Sequence, residues 1–407
     1  MPDSVYRLRD RDLLVLCVIA LLALGVVMVQ SAAMGVRPAD AAAAAGDAPG
    51  VWHWSSRGMR HGLYAALALL TFVTASRFDV RKLSGDTLKT TPVAWGLAGA
   101  ALLCVLVLIP GVGTVVNGAR RWITLGPLTL QPSELAKWGT IAFLAWRLSR
   151  PNAGDLVRGF LPTCAVVGVM CLLVVIEDFG TAALIGVSSF CLMVAGPTKL
   201  KHLAVAVPPA LLAAFAFVYS EPYRWRRITA FLNPWDVPET DGYHVIQSLY
   251  SFAGGGWLGE GLGNGVQKLG YLPEDTTDFI FAVICEELGL AGAAVLGLSY
   301  LIILGVGFSG ARRCDNPFGR LLAFGIVATL GLQASINIAV ATASVPTKGM
   351  ALPLVSAGGS GLVTTAFMLG LLYSVCRNEP APAPAVDDWI GDPDQDDELI
   401  DADEPDS

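Results

Sequence analysis

The sequence predicts an all-α polytopic membrane protein of about ten transmembrane helices, with one large extracytoplasmic loop between the seventh and the eighth. Two observations carry that prediction. Hydrophobic residues make up 54% of the chain and charged residues 15%, a balance foreign to a soluble globular protein of 407 residues. Stretches of roughly 18 or more nearly uncharged residues also recur, which is the length a helix needs to cross a hydrocarbon core. Lipid offers no hydrogen-bond partners, so such runs must close their backbone bonds internally. The two-residue alternation of a membrane barrel is missing.

The spans fall near residues 13–34, 61–77, 92–110, 133–149, 160–176, 180–196, 203–219, 278–305, 321–342 and 353–376. An even number puts both termini on one side, and basic residues choose the side. Arg7, Arg9 and Arg11 precede the first span. Arg77, Arg81, Lys82 and Lys89, then Arg147, Arg150 and Arg158, then Lys199 and Lys201, then Arg312, Arg313 and Arg320 occupy alternate connections, and Arg377 follows the last span. This set holds most of the basic residues although the other set includes the longest loop, so it is expected to face the cytoplasm. The first span carries no convincing signal-peptide cleavage pattern.

Three regions follow: a cytoplasmic amino terminus (1–12), a membrane domain (13–376, with the extracytoplasmic loop at 220–277) and a tail (377–407). From Glu379 onward the tail has acids and no base, so the net charge of −7 hides a positive membrane domain. Such a composition reads as a solvated, disordered extension, with partner binding as the alternative. The stretch from Ala39 to Gly50 reads as a linker.

Most of the eight cysteines fall inside spans without CxxC pairing, and the four histidines form no HExxH, so no built-in metal cage is expected. Gly259, Gly261, Gly263 and Gly265 resemble a phosphate loop only superficially, because no strand precedes them. They read as tight backbone packing after an interfacial or re-entrant helix around Val245 to Phe252.

Chemistry gathers in the two outward connections, 111–132 and 220–277. "NGARRWITLGPLTLQPSELAKW" puts Arg120, Arg121 and Trp122 in a loop and then opens a helix on which Glu134 and Lys137 share a face. An unpaired ion at that depth is costly, so the two should pair with each other or line a wet cavity. Glu177 and Asp178 in "EDFGT", Arg224, Arg226 and Arg227 in "YRWRR", Lys268, and Lys348 add charge at the same membrane face. Guanidinium forks among aromatic rings suit an anionic amphiphile, and a polyprenyl-linked pyrophosphate fits. "LPEDTTDFIFAVICEELG" sets five acids around an apolar helix. Glu274 and Asp275 read as solvated, Glu286 and Glu287 as structural groups deeper along the helix. Asp278 sits at the helix mouth, where burial would raise its pKa and the arginines would lower it, so the sequence leaves the sign open.

These stretches, with "GYHVIQSLYSFAGGGWLGEGLGNGVQKLGYLPE", "TDFIFAVICEELG" and "PTKGMALPLVSAGGS", resemble the SEDS family (FtsW/RodA) from residue 10 to 376, with "GLGNGVQKLGYLPE" closer to the division-type FtsW branch. The resemblance implies a peptidoglycan glycosyltransferase that polymerises lipid II into β-1,4-linked glycan at the outer face of the bacterial cytoplasmic membrane. It implies Asp278 as catalytic base, with undecaprenyl pyrophosphate leaving, and Arg121, Trp122, Glu134, Lys137, Asp178, Lys348 and Ser356 as substrate-binding residues. No organic cofactor is implied, and a divalent cation (Mg2+ or Mn2+) is allowed, bound with the substrate pyrophosphate. Implied partners are lipid II and the nascent strand, a class B penicillin-binding transpeptidase, other division or elongation proteins and the membrane, with no nucleic acid. The chain departs from the family pattern at Asp275 and Thr276, where Ala and His are usual, and at Ala357, where Tyr is usual. The competing readings are a lipid II flippase and a non-catalytic scaffold for the transpeptidase.

Overall fold

A computed structural model describes residues 9–34 and 55–377, apart from Asn117, Pro127 and Asp241. The Ala-rich stretch and the acidic tail lie outside the described residues.

Among the described residues, ten long helices form the bundle in chain order: α1 (Asp10–Met34), α2 (Ser56–Arg77), α3 (Pro92–Leu108), α4 (Pro132–Leu148), α5 (Leu161–Val175), α6 (Phe179–Ala195), α7 (Leu200–Tyr219), then, after two shorter helices, α10 (Ile280–Arg313), α11 (Pro317–Ala341) and α12 (Ser360–Arg377). The two shorter ones, α8 (Pro222–Leu232) and α9 (Tyr243–Gly255), lie in the long loop. By length and composition α1, α7, α10, α11, α12 and the run Leu156–Val175 that contains α5 can cross a membrane. Helices α3 and α6 are shorter apolar helices, while α2 and α4 carry charge in their first turns.

Local chemistry sets the helix starts. Ser55 caps α2 through its side chain, Asp178 caps α6 and Asn316 caps α11, and proline stands at the first turn of α3, α4 and α11. Packing then centres on α4 and α11, which touch each other and α6, while α12 runs along α2. That last contact is close: a Cβ on Gly370 would come within 2.5 Å of the Phe72 carbonyl oxygen. Helix α7 is different. Leu203 is its one buried residue, so nearly its whole surface is available to lipid.

Three features depart from the sequence expectation. Residues 353–359 are not helical, and α12 starts at Ser360, because the segment before it folds inward as a loop. The connection at 111–132, expected to face outward, forms a three-stranded antiparallel sheet, β1 (Thr114–Val116), β2 (Ala119–Leu125) and β3 (Leu128–Leu130). β1 and β3, three residues each, are too short for a periodicity reading, and β2 (ARRWITL) does not alternate apolar with polar residues. The span expected at 278–305 starts at Ile280 and is broken at Gly289, whose φ of 65° and ψ of −166° lie outside the helical region.

That break is filled by the glycine loop. Glu260 and Gly261 N–H groups donate to the Glu286 and Glu287 carbonyls (2.9 and 3.0 Å), and Leu290 and Ala291 donate back to Gly256 and Trp257 (3.0 and 3.1 Å). The backbone groups freed by the break are thus satisfied, as burial requires. The two glutamates complete the joint. Glu286 accepts from the N–H groups of Val266 and Gln267, and Glu287 accepts from Gly263 N–H, from Ser31 of α1 and from Lys268 Nζ at 2.6 Å. Glu287 is 0% exposed. Both therefore have structural partners, as expected, although they lie before the break rather than along a continuous helix.

Candidate active site

A cavity of about 1640 Å³ opens at the end of the bundle that carries the sheet and the long loop. Its walls come from the first turns of α2, the sheet, the start of α4, the α5–α6 junction, the start of α8, and the loops 273–279 and 345–359. Arg121, Trp122, Glu134, Asp178, Asp278, Lys348 and Ser356 all line it, though their positions in the chain span more than half its length.

Asp278 lies two residues before α10, in the wall formed by the loop. Its backbone is held from both sides: its carbonyl accepts from Asn337 Nδ2 at 2.9 Å, and the neighbouring Thr277 carbonyl accepts from Ser356 Oγ at 2.5 Å. No hydrogen bond or ion pair reaches its carboxylate among the described residues, and Gly349 passes so close that a Cβ there would sit 2.8 Å from Oδ2. Burial raises the carboxyl to about 7, with Glu274 and Asp178 adding to the rise and Arg121 and Arg227 opposing it. Desolvation therefore outweighs the arginines.

The surrounding charges are fixed by their elements. The β2 strand is tied down where Glu177 accepts from Arg120 N–H at 2.6 Å, which sets Arg121 and Trp122 over the cavity. Arg121 Nε has no partner. Asp178 accepts from Thr181 N–H and Oγ1 and from Gln131 Nε2 (3.0, 2.7 and 3.2 Å), so it stiffens the start of α6 as well as facing the cavity. Lys348 lies over the Phe179 ring at 4.3 Å and donates to its carbonyl. Burial lowers its ammonium to about 8 against the pull of Asp178.

Lys137 and Asp275 stand elsewhere than expected, and Ser356, in the cavity wall, also makes structural bonds. Lys137 does not line the cavity: it is 0% exposed, and its Nζ donates to Glu134 Oε2 at 2.6 Å and to Gln333 Oε1 at 2.7 Å. Helical spacing found the pair correctly, but Gln333 and α11 seal it beneath the floor. Ser356 accepts from Leu352 N–H while donating to Thr277, so its hydroxyl braces two loops. Asp275, expected to be solvated, is buried in the cavity wall, where desolvation raises it to about 6 against the attraction of Arg57. Thr276 and Ala357 meet directly, since Ala357 N–H donates to the Thr276 carbonyl at 2.9 Å. The departures from the family pattern thus share one patch of wall.

The sequence reading missed Arg57, Arg60, His61 and Tyr64, which line the cavity from α2. Their spacing at i, i+3, i+4 and i+7 was the available signal. It also missed Gln333 and Asn337, two amides at i, i+4 inside an apolar helix. Among the described residues no three His, Cys, Asp or Glu side chains cluster as a metal cage.

A polytopic helical bundle with a charged cavity at one end defines a class of membrane protein, and comparison with known proteins narrows it. The family model described as "Cell cycle protein" (FtsW/RodA/SpoVE) matches residues 11–380, and the chain belongs to this family. It is similar to the probable peptidoglycan glycosyltransferase FtsW of Nitrosococcus halophilus, with 42% identity over 364 residues that cover 88% of this chain and 89% of the relative. The protein of the same name from Geobacter metallireducens is 40% identical over 319 residues, covering 78% and 84%. Among solved structures, a chain of a peptidoglycan synthase complex described as coordinating polymerization and crosslinking superposes with a TM-score of 0.70 at 30% identity, covering 91% of this chain and 98% of that one. The rod shape determining protein RodA of Thermus thermophilus gives 0.62 at 28% identity, covering 91% and 97%.

Proposed function

We propose that this protein is a peptidoglycan glycosyltransferase that joins two lipid-linked disaccharides into β-1,4 glycan, with Asp278 as general base. The observation that carries the reading is the unpartnered Asp278 carboxylate in a wall of a cavity rimmed by Arg121, Arg224, Arg227 and Lys348. Curated relatives at about this identity carry the same activity in their names.

In the step, the 4-hydroxyl oxygen of one sugar attacks the anomeric carbon of the other. Its proton passes to Asp278, the bond from carbon to the pyrophosphate oxygen breaks, and undecaprenyl pyrophosphate leaves with the electron pair. Attack opposite an α-linked leaving group inverts the carbon and gives the β bond. A carboxylate near 7 suits this role, because a base works best when its pKa lies close to the working pH. The cations offset charge that builds on the departing oxygens, and charges already fixed in place do so without reorganising as the step proceeds. Lys137 takes no direct part; it holds Glu134.

The positive-inside pattern supports cytoplasmic termini and a cavity at the outer face of the bacterial inner membrane. The structural neighbour in a synthase complex supports a class B transpeptidase partner. The test is to supply labelled lipid II to the purified protein, with and without such a transpeptidase. Long glycan strands are expected. Absence of strands in both conditions, with lipid II instead crossing vesicle bilayers that hold the protein, would replace this reading by transport.

A further inference from the structure

The cavity has a second basic wall that the proposed step does not use. Arg57, Arg60, His61 and Tyr64 occupy one face of the first turns of α2, and all four line the cavity. Arg57 and Arg60 are exposed, and no carboxylate lies within ion-pair distance of either among the described residues. His61 is only 3% exposed, yet neither ring nitrogen has a hydrogen-bond partner. An unpaired imidazole in a cavity wall is costly, and a ligand oxygen would remove that cost. Tyr64 is already engaged, since Thr129 N–H donates to its hydroxyl, so it orients the face rather than offering a free group.

This wall is separate from the first basic set. Asp278 responds to Arg121 and Arg227, whereas Asp275 responds to Arg57. Arg57 and Arg60 stand on α2, whereas Arg121 stands on β2 and Arg227 on α8. The amino-terminal end of α2, capped by Ser55, adds the favourable end of a helix dipole on the same side.

Joining two lipid-linked sugars brings two pyrophosphates to one cavity. One is expelled and the other stays attached to the sugar that attacks. We infer that Arg57, Arg60 and His61 form the subsite for the retained pyrophosphate, that of the acceptor lipid-linked sugar. This inference rests on the polymerase reading above. Planar guanidinium groups bind phosphate oxygens in pairs, which fits a diphosphate better than an uncharged sugar.

The test uses the full-length protein in nanodiscs, with undecaprenyl pyrophosphate and inorganic pyrophosphate as separate probes. Wild type should bind about two lipid-linked equivalents, and Arg57→Gln/Arg60→Gln and Arg121→Gln about one each, because each removes one guanidinium site. In polymerisation, Arg57→Gln/Arg60→Gln should raise the KM for lipid II about tenfold with kcat nearly unchanged, and Arg57→Lys/Arg60→Lys should recover part of the loss. His61→Gln, which keeps a donor, should lie between the two. Two equivalents still bound by the glutamine pair, or an unchanged KM, would overturn the inference. So would inorganic pyrophosphate binding as tightly as the lipid-linked form. Two equivalents bound by wild type without any polymer would instead overturn the polymerase reading and keep the α2 wall as a lipid pyrophosphate site.

Discussion

Lys137 and Gln333 share a 2.7 Å hydrogen bond that joins α4 to α11 directly beneath the cavity floor. Gln333 passes the connection on, since its Nε2 donates to the Ala351 carbonyl at 2.9 Å, in the loop that also carries Lys348. A buried ammonium thus fixes one wall of the site without touching it. Replacing Lys137 by Met leaves the mostly buried Glu134 carboxylate without its cation, which costs about 3–5 kcal/mol. Thermal unfolding in detergent should show the loss, and Lys137→Met/Glu134→Gln should regain part of it.

One turn further along α11, Asn337 Nδ2 donates to the carbonyls of both Asp278 and Met350, at 2.9 and 2.6 Å. Asn337→Ala leaves both carbonyls unsatisfied, at about 1–3 kcal/mol each. Freed by even an ångström, Asp278 should work roughly a hundredfold more slowly. Lipid II binding, measured alongside kcat, should change little.

These supports explain what could be read from the sequence. The helices were legible because lipid demands long apolar runs, and Glu134 with Lys137 was legible because a helix puts residues three apart on one face. Asp278, Arg121 and Lys348 were legible from the family motifs "TDFIFA", "NGARRWI" and "PTKG" in which they stand. Gln333 was invisible as the third member of the ion pair because it lies 196 residues from Lys137. The same holds for Ser31 and Glu287, 256 residues apart. The break at Gly289 gave no signal, because glycine inside an apolar run is ordinary in membrane helices.

Gly289 gives the next prediction. Its φ is positive, and a Cβ there would stand 2.4 Å from Gly259 N. Gly289→Ala therefore carries backbone strain of about 1–3 kcal/mol as well as a clash with the glycine loop. It should sharply lower the yield of monodisperse protein, whereas Gly297→Ala, with nothing near its Cβ position, should leave the yield intact or improve it.

The pH dependence follows from two opposed groups. The Asp278 carboxyl is raised to about 7, so below that pH it is protonated and cannot accept a proton. The Lys348 ammonium is lowered to about 8, so above that pH its positive charge is lost. The profile of kcat/KM should be a narrow bell with an acid limb near the first value and an alkaline limb near the second. Lys348→Arg should move only the alkaline limb upward. A flat profile between pH 6 and 9, taken here as roughly the span of both limbs, would argue against both assignments.

The most direct measurement is the rate of glycan formation from labelled lipid II by Asp278→Asn, at lipid II occupancy matched to wild type. Asparagine keeps the shape and removes the base. The rate should fall by about 10²–10⁴-fold while lipid II binding and thermal stability stay at wild-type levels. Strand synthesis at the wild-type rate would contradict the assignment of Asp278 as the base.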